Sequence, residues 1–221
     1  MFGNFFNVRS LLALIAHTLL WCDFVQANKL QVGFAQVPIT PSVIDEWVDV
    51  NNDAQFDPDI DTWTDKNGNG VFDPVWIAGF QKGRAAQGIK DDLMAVAVAI
   101  DDGDQRMAVV AVDTIGLMRK FVLDVRQSTN KEWGLDHLMI HATHNHEGPD
   151  TQGLWGPGLF ESGVNQDYMR ELKGSILSVV ETAISNLEPA EMSIARIATD
   201  PGTPIKDKRK PIVIDEDIRA L

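Results

Sequence analysis

The chain has 221 residues, a sequence pI near 4.6 and a formal net charge of −13. Hydrophobic residues make up 44% and charged residues 23%, the balance of a chain that buries a core, which excludes a wholly disordered, collagen-like or disulfide-stapled protein. The acidity argues against a nucleic-acid partner, since phosphate binding needs a basic face.

Residues 1–27 read as a secretory signal peptide. Arg9 gives the positive start, residues 11–20 the apolar stretch, and Val25-Gln26-Ala27 the end that a signal peptidase reads. The stretch is shorter than the ~20 apolar residues of a membrane span. The mature chain, 28–221, is therefore expected to have no transmembrane span and to be secreted or periplasmic. An uncleaved anchor is the alternative. A lipoprotein reading through Cys22 is opposed by bulky Trp21. Cys22 is the only cysteine, so the mature chain has neither disulfide nor thiol nucleophile. Bound metal is one candidate for stabilising it.

Residues 30–39 alternate enough to form an opening strand. Next comes an acidic repeat at 45–74. Residues 45–73 hold nine acids and one base, so −8 of the −13 is concentrated there. Residues 47–58 align with 63–74 at an offset of 16, both reading W-x-D-x-N-x-[DN]-x-x-F-D-P. Asp49, Asn51, Asp53 and Asp57, and then Asp65, Asn67, Asn69 and Asp73, occupy relative positions 1, 3, 5 and 9 of an EF-hand-type loop. These are hard oxygen ligands suited to Ca²⁺. Gly70 fills the sharp-turn position of the second loop, where the first has Ala54. Neither loop has Glu at position 12, so the loops are not full helix-loop-helix EF-hands. Asp59, Asp61 or the neighbouring loop could supply a missing ligand. An acidic, solvated turn pair is the plainer alternative, because Asp, Asn and Gly favour turns without metal. Trp47, Trp63, Phe56 and Phe72 read as core anchors of each unit.

Residues 76–80 form a short apolar run. Residues 93–100 and 107–112 read as a hairpin of buried strands around the turn at 101–104. Residues 117–131 have helical spacing, with Leu117, Phe121, Val122 and Val125 on one face. Residues 137–143 make a further strand. Residues 167–187 are the longest helical segment, striped by Met169, Leu172, Ile176, Leu177, Val180 and Ile184 and stopped by Pro189. Residues 192–197 and 211–221 are expected strands, joined by a basic loop at 206–210. The alternation predicts an α/β fold, a mixed sheet with helices packed on its faces, plus the calcium-loop insert. The last strand-like run has no terminal punctuation, so a truncated domain is expected.

Four of the five histidines, His137, His141, His144 and His146, lie within ten residues. In an extended segment His144 and His146 project to the same side, which suits two ligands of one Zn²⁺. They open a Gly/Pro loop at a strand end, where α/β sheets place active sites. Strand-end histidines also serve simply to satisfy backbone groups, and His137 and His141 fit that structural role. Asp113 ends a strand, where an acid can orient a metal-bound histidine through its second ring nitrogen or cap the following helix.

These residues resemble a known family. His141-Ala142-Thr143-His144-Asn145-His146-Glu147-Gly148-Pro149-Asp150 is similar to the S-A-T-H-T-H-S-G-P motif of neutral/alkaline non-lysosomal ceramidases. Residues 88–95 resemble that family's G-I-x-x-x-L-x-A entry, 109–117 its V-x-x-D-L-G-type segment, 30–40 its opening strand and 76–80 its M-G-Y-like turn. The resemblance spans roughly 30–221, the N-terminal part of the catalytic domain. It implies a zinc-dependent amidase acting on an N-acyl bond of a lipid-like substrate such as a sphingolipid. His144 would be a zinc ligand, and His146 a ligand or an active-site group that stabilises the oxyanion. The remaining ligands, a later His, a Glu and a Tyr, would lie downstream, so this fragment alone is expected to be inactive. The acidic repeat, His141, Asn145 and Glu147 depart from the family pattern. The loop at 150–158 looks like that of a bacterial ceramidase-like subgroup. Two rival readings stand beside this one. The first is a secreted calcium-binding structural or adhesion module with a vestigial hydrolase fold. The second is an esterase or amidase of other substrates.

Overall fold

The structure is a computed structural model that describes residues 30–199, 207–215 and 217–220. The expected signal peptide and part of the expected basic loop lie outside the described residues. Among the described residues no helix is long and apolar enough to cross a membrane.

The expected opening strand is β1 (Gln31–Pro38). Two three-residue strands follow, β2 (Glu46–Val48) and β3 (Thr62–Thr64). The expected hairpin is β4 (Met94–Asp101) and β5 (Arg106–Val112), paired antiparallel. Then come α1 (Arg119–Gln127), a 3-10 turn at Lys131–Trp133, and β6 (His137–Ala142). Helix α2 runs from Gln166 to Ser185. The short strands β7 (Glu188–Pro189), β8 (Ala195–Ala198) and β9 (Asp217–Ala220) close the series.

The main sheet has the order β6-β5-β4-β1-β7. Only β5 and β6 pair in parallel; the other neighbours are antiparallel. The fold is thus α/β with a mixed sheet, as expected. Strands β2 and β3 form one separate ribbon, β8 and β9 another.

Both helices pack on one face of the sheet, in a single core that joins Val125 of α1 to Leu172, Ile176, Val179 and Val180 of α2. The covered face is built of small residues. Gly33, Ala99, Ala108 and Leu138 stand side by side in one cross-strand row. A Cβ at Gly33 would overlap the Ala183 carbonyl oxygen of α2. The small row therefore sets how closely α2 approaches the sheet. Asn165 starts α2 by accepting the N–H groups of Asp167 and Tyr168. The buried stripe centres on Tyr168, Leu172, Ile176, Val179, Val180 and Ala183, with Met169, Leu177 and Ile184 flanking it.

The opposite face carries the row Phe34, Val98, Val109 and Met139. Phe34 and Met139 are exposed. The hairpin strands, expected to be buried, are therefore closed over on one face only among the described residues. Residues 117–131 form a shorter helix than expected, because the chain turns into the 3-10 segment whose start Asn130 caps.

Replacing Gly33 with Ala forces α2 away from the sheet. We expect a loss of about 1–3 kcal/mol in denaturant unfolding, the range for overpacking a close-packed contact.

Candidate functional site

Parallel pairing of β5 and β6 brings two strand ends together, and the loops beyond them interlock. Thr143 N–H donates to Val112 O, and the N–H groups of His144 and Asn145 both donate to Thr114 O, at 3.0 and 3.1 Å. The His144 ring nitrogen Nδ1 lies 2.8 Å from Ile115 O. A carbonyl can only accept, so Nδ1 is the protonated nitrogen in this contact, and Nε2 is the acceptor turned toward His146. The Nε2 atoms of His144 and His146 stand 3.2 Å apart, with the rings edge to face at 4.7 Å between centroids.

The segment is not extended, as the sequence reading assumed. His144 has φ +66°, a left-handed conformation that costs a non-glycine residue roughly 1–2 kcal/mol. The two imidazoles meet because the chain turns at His144, and the hydrogen bonds to Thr114 and Ile115 hold that turn.

Asp113 reaches its expected neighbourhood by another route. One carboxylate oxygen accepts from Met94 N–H and the other from the Thr143 hydroxyl, both at 3.0 Å. The Ile115 carbonyl, and not Asp113, holds the His144 ring. Nor does Asp113 cap α1, whose N-cap position is Met118. The carboxylate ties β4 to the residue before His144, so it positions the segment and not the imidazole. His137 and His141 are exposed residues of edge strand β6, on the face away from the helices.

On the far side, His146 packs against Phe80 at 5.2 Å between centroids, and a Cβ at Gly79 would collide with the His146 ring. Arg84 binds Glu147 at 2.7 Å and lies 5.3 Å from the centre of Phe80. Sequence reasoning missed Arg84, which stands outside any motif. A cleft of about 560 Å³ runs beneath the loop, lined by Ile77, Ile89, Leu93, Asp113, Asn145 and Glu147 among others.

The acidic repeat folds as a two-fold pair. Trp47 faces Trp63, its counterpart at i + 16, at the centre of the antiparallel β2–β3 ribbon, so the local two-fold axis passes between the two tryptophans. Two buried acids staple the pair reciprocally. Asp45 accepts the N–H groups of Lys66 and Asp73, and Asp61 those of Val50 and Asp57. Asp61 is thus buried and engaged with the backbone of the first loop. This role was visible in principle: D-x-W opens both units. Phe56 and Phe72, 4.1 Å apart, join Trp47, Trp63 and Trp76 in one aromatic cluster.

In the second loop Asp65 accepts from the N–H groups of Gly68, Asn69 and Gly70, while Asp73 accepts from the side-chain amides of Asn67 and Asn69. Asn67 and Asn69 thus meet Asp73 side chain to side chain, while Asp65 closes onto the backbone between them. The Gly70 N–H bond, helped by those of Gly68, Asn69 and Asn67 and opposed by burial, holds the Asp65 carboxyl below its usual range. In the first loop Asp49 accepts from Asp53 and Ala54 N–H, and Asn51 contacts Asp53. Asp57 instead accepts from Asp59 N–H. Ala54 takes φ +62°, matching Gly70 at +76°, so the two turns share a backbone shape at some strain in the first. Among the described residues no three His, Cys, Asp or Glu side chains surround one metal-sized centre.

No family model matches the chain. Its fold is similar to that of a ceramidase complexed with C2, at 18% identity and a TM-score of 0.54, covering 77% of this chain and 23% of the other. It is also similar to the neutral ceramidase from Pseudomonas aeruginosa, at 16% identity and a TM-score of 0.55, covering 77% and 24%. The chain thus shares a fold with these proteins and matches about a quarter of their length.

Asp113→Ala leaves Met94 N–H and the Thr143 hydroxyl without their partner. The expected loss is about 1–3 kcal/mol by denaturant unfolding, whereas Thr143→Ser, which keeps the hydroxyl, should stay within about 0.5 kcal/mol of the parent.

Proposed function

We propose that this chain, built on the fold it shares with neutral ceramidases, is part of a secreted or periplasmic zinc-dependent hydrolase of N-acyl bonds in a lipid-like substrate. We also assign the acidic repeat to structural calcium. The observation that carries the zinc reading is the 3.2 Å separation of the His144 and His146 Nε2 atoms. Two nitrogens on one tetrahedral zinc, each 2.0–2.1 Å from it, stand roughly 3.3 Å apart. The donor set fits: the Ile115 carbonyl fixes the tautomer in which His144 Nε2 carries the lone pair that would ligate. Two imidazoles are half of a tetrahedral set, and the reading assigns the other positions to residues outside the described ones.

Zinc, when bound there, supplies a Lewis acid that polarises a scissile carbonyl and acidifies its water. The chain's own residues supply placement. His144 is locked by its backbone turn and by Ile115. His146 is held between Gly79 and Phe80, facing the same centre. Arg84, paired with Glu147 and set beside Phe80, fixes the far side of the loop.

For calcium, the support is the oxygen-only donor set of Asp65, Asn67, Asn69 and Asp73, gathered by the hydrogen bonds of the second loop. The first loop repeats this backbone with Asp49, Asn51 and Asp53 at the matching positions, and Asp57 must turn inward to join them.

Two measurements test these assignments. The full-length protein should bind about one zinc per chain, and His144→Ala should abolish it; zinc content unchanged in that variant rejects the site. The melting temperature should fall when EGTA is added, because a ligand bound only by the native state stabilises it; an unchanged melting curve rejects structural calcium.

A further inference from the structure

We propose that the tip of the loop at 150–163, together with Phe80, is a docking surface for a neutral, zwitterionic lipid bilayer. The inference rests on the reading of the substrate as a lipid, and it extends that reading to how the lipid reaches the histidines.

The loop is firmly built. The Asp150 carboxylate is buried and accepts four backbone N–H groups, from Gln152, Gly153, Trp155 and Gly163. The Thr151 hydroxyl donates to Gly116 O at 2.6 Å. Gly156 and Gly163 approach so closely that neither has room for a Cβ. A segment organised around a buried, fully satisfied carboxylate is held in one shape.

That shape presents apolar groups outward. Leu154 is 55% exposed, Leu159 78% and Phe160 fully exposed. Phe80, 66% exposed, adds a further apolar side chain, with its ring against His146. Two residues on, Lys82 donates to Leu159 O at 3.0 Å and Gly83 N–H to Gly156 O at 3.1 Å. The tip and the His146 neighbourhood are therefore joined through residues 80–83.

Shape and charge select the occupant. The tip is a protrusion carrying large side chains, and a fluid acyl boundary takes such groups without needing a complementary groove. Phe and Leu are among the side chains that bury into that boundary. The same 81–83 segment also abuts the first acidic loop, through Phe56 N–H to Gly83 O and Gln81 to Asp53 O. Residues 45–73 carry −8, and two calcium ions there would still leave about −4, which outweighs the Lys82 ammonium at the tip, so an anionic surface is repelled and a zwitterionic one is not.

The test is co-sedimentation of the full chain with phosphatidylcholine vesicles, and with vesicles enriched in phosphatidylglycerol. Expected are binding to the first, weaker binding to the second, and a drop of at least about tenfold for the double variant Leu159→Ser, Phe160→Ser. Because both side chains are exposed, the variant's melting temperature should match that of the parent, which separates lost docking from lost folding. Absence of vesicle binding by the parent, retention of binding by the double variant, or preference for the anionic vesicles would each overturn the proposal. So would self-association that the double variant abolishes without any vesicle binding, which marks a protein interface instead. Docking is read without turnover, and zinc content is read separately, so either assignment can fail while the other stands.

Discussion

A run of carbonyl groups just past the end of β5 holds the rest of the site. Val112 O takes Thr143 N–H, Thr114 O takes two amides, Ile115 O takes the His144 ring, and Gly116 O takes the Thr151 hydroxyl. Parallel pairing makes this possible, because it leaves both β5 and β6 ending at the same edge of the sheet. The carbonyls free at that edge are then satisfied by the neighbouring loop. The left-handed turn at His144 persists because its N–H and its ring are both engaged there. Local strain is tolerated where the surroundings over-determine it.

Carboxylates play the complementary part. Asp113, Asp150, Asp45 and Asp61 are each engaged with backbone N–H groups of residues they must hold in place. None depends on a basic partner for this role. An acidic chain with no cysteine among the described residues thus uses its acids as internal ties. Hydrogen bonds from backbone N–H to an ionised carboxylate are stronger than neutral ones, and they shape loops that have little apolar surface of their own.

The two halves of the protein also meet through aromatic packing. Phe56 and Phe72 lie between Trp47, Trp63 and Trp76, and Trp47 Nε1 donates to Ala85 O. Trp76 continues into the segment that runs beneath the histidine loop, where Asp150 N–H donates to its carbonyl. The acidic pair is therefore an integral neighbour of the Asp150 loop and of Phe80.

Elements whose signal is local were legible in the sequence. The long helix followed from its apolar stripe, and the hairpin from two apolar runs around an Asp-rich turn. The repeat showed itself by the offset of 16 residues. Periodicity and turn chemistry act over a few residues and leave a trace there. What joined distant segments left no such trace. The partner of His144 is a main-chain carbonyl at Ile115, which has no side-chain signature. The swap of Asp45 and Asp61 between loops requires the two-fold ribbon to form first. Arg84, Gly79 and Phe80 reach His146 only because residues 76–85 fold back beside the loop at 148–156. The sequence by itself determined which residue types were available and where the chain could turn. Tertiary structure alone decided which carbonyls and carboxylates they would meet, because a hydrogen bond between residues far apart in sequence depends on the sheet that brings them together.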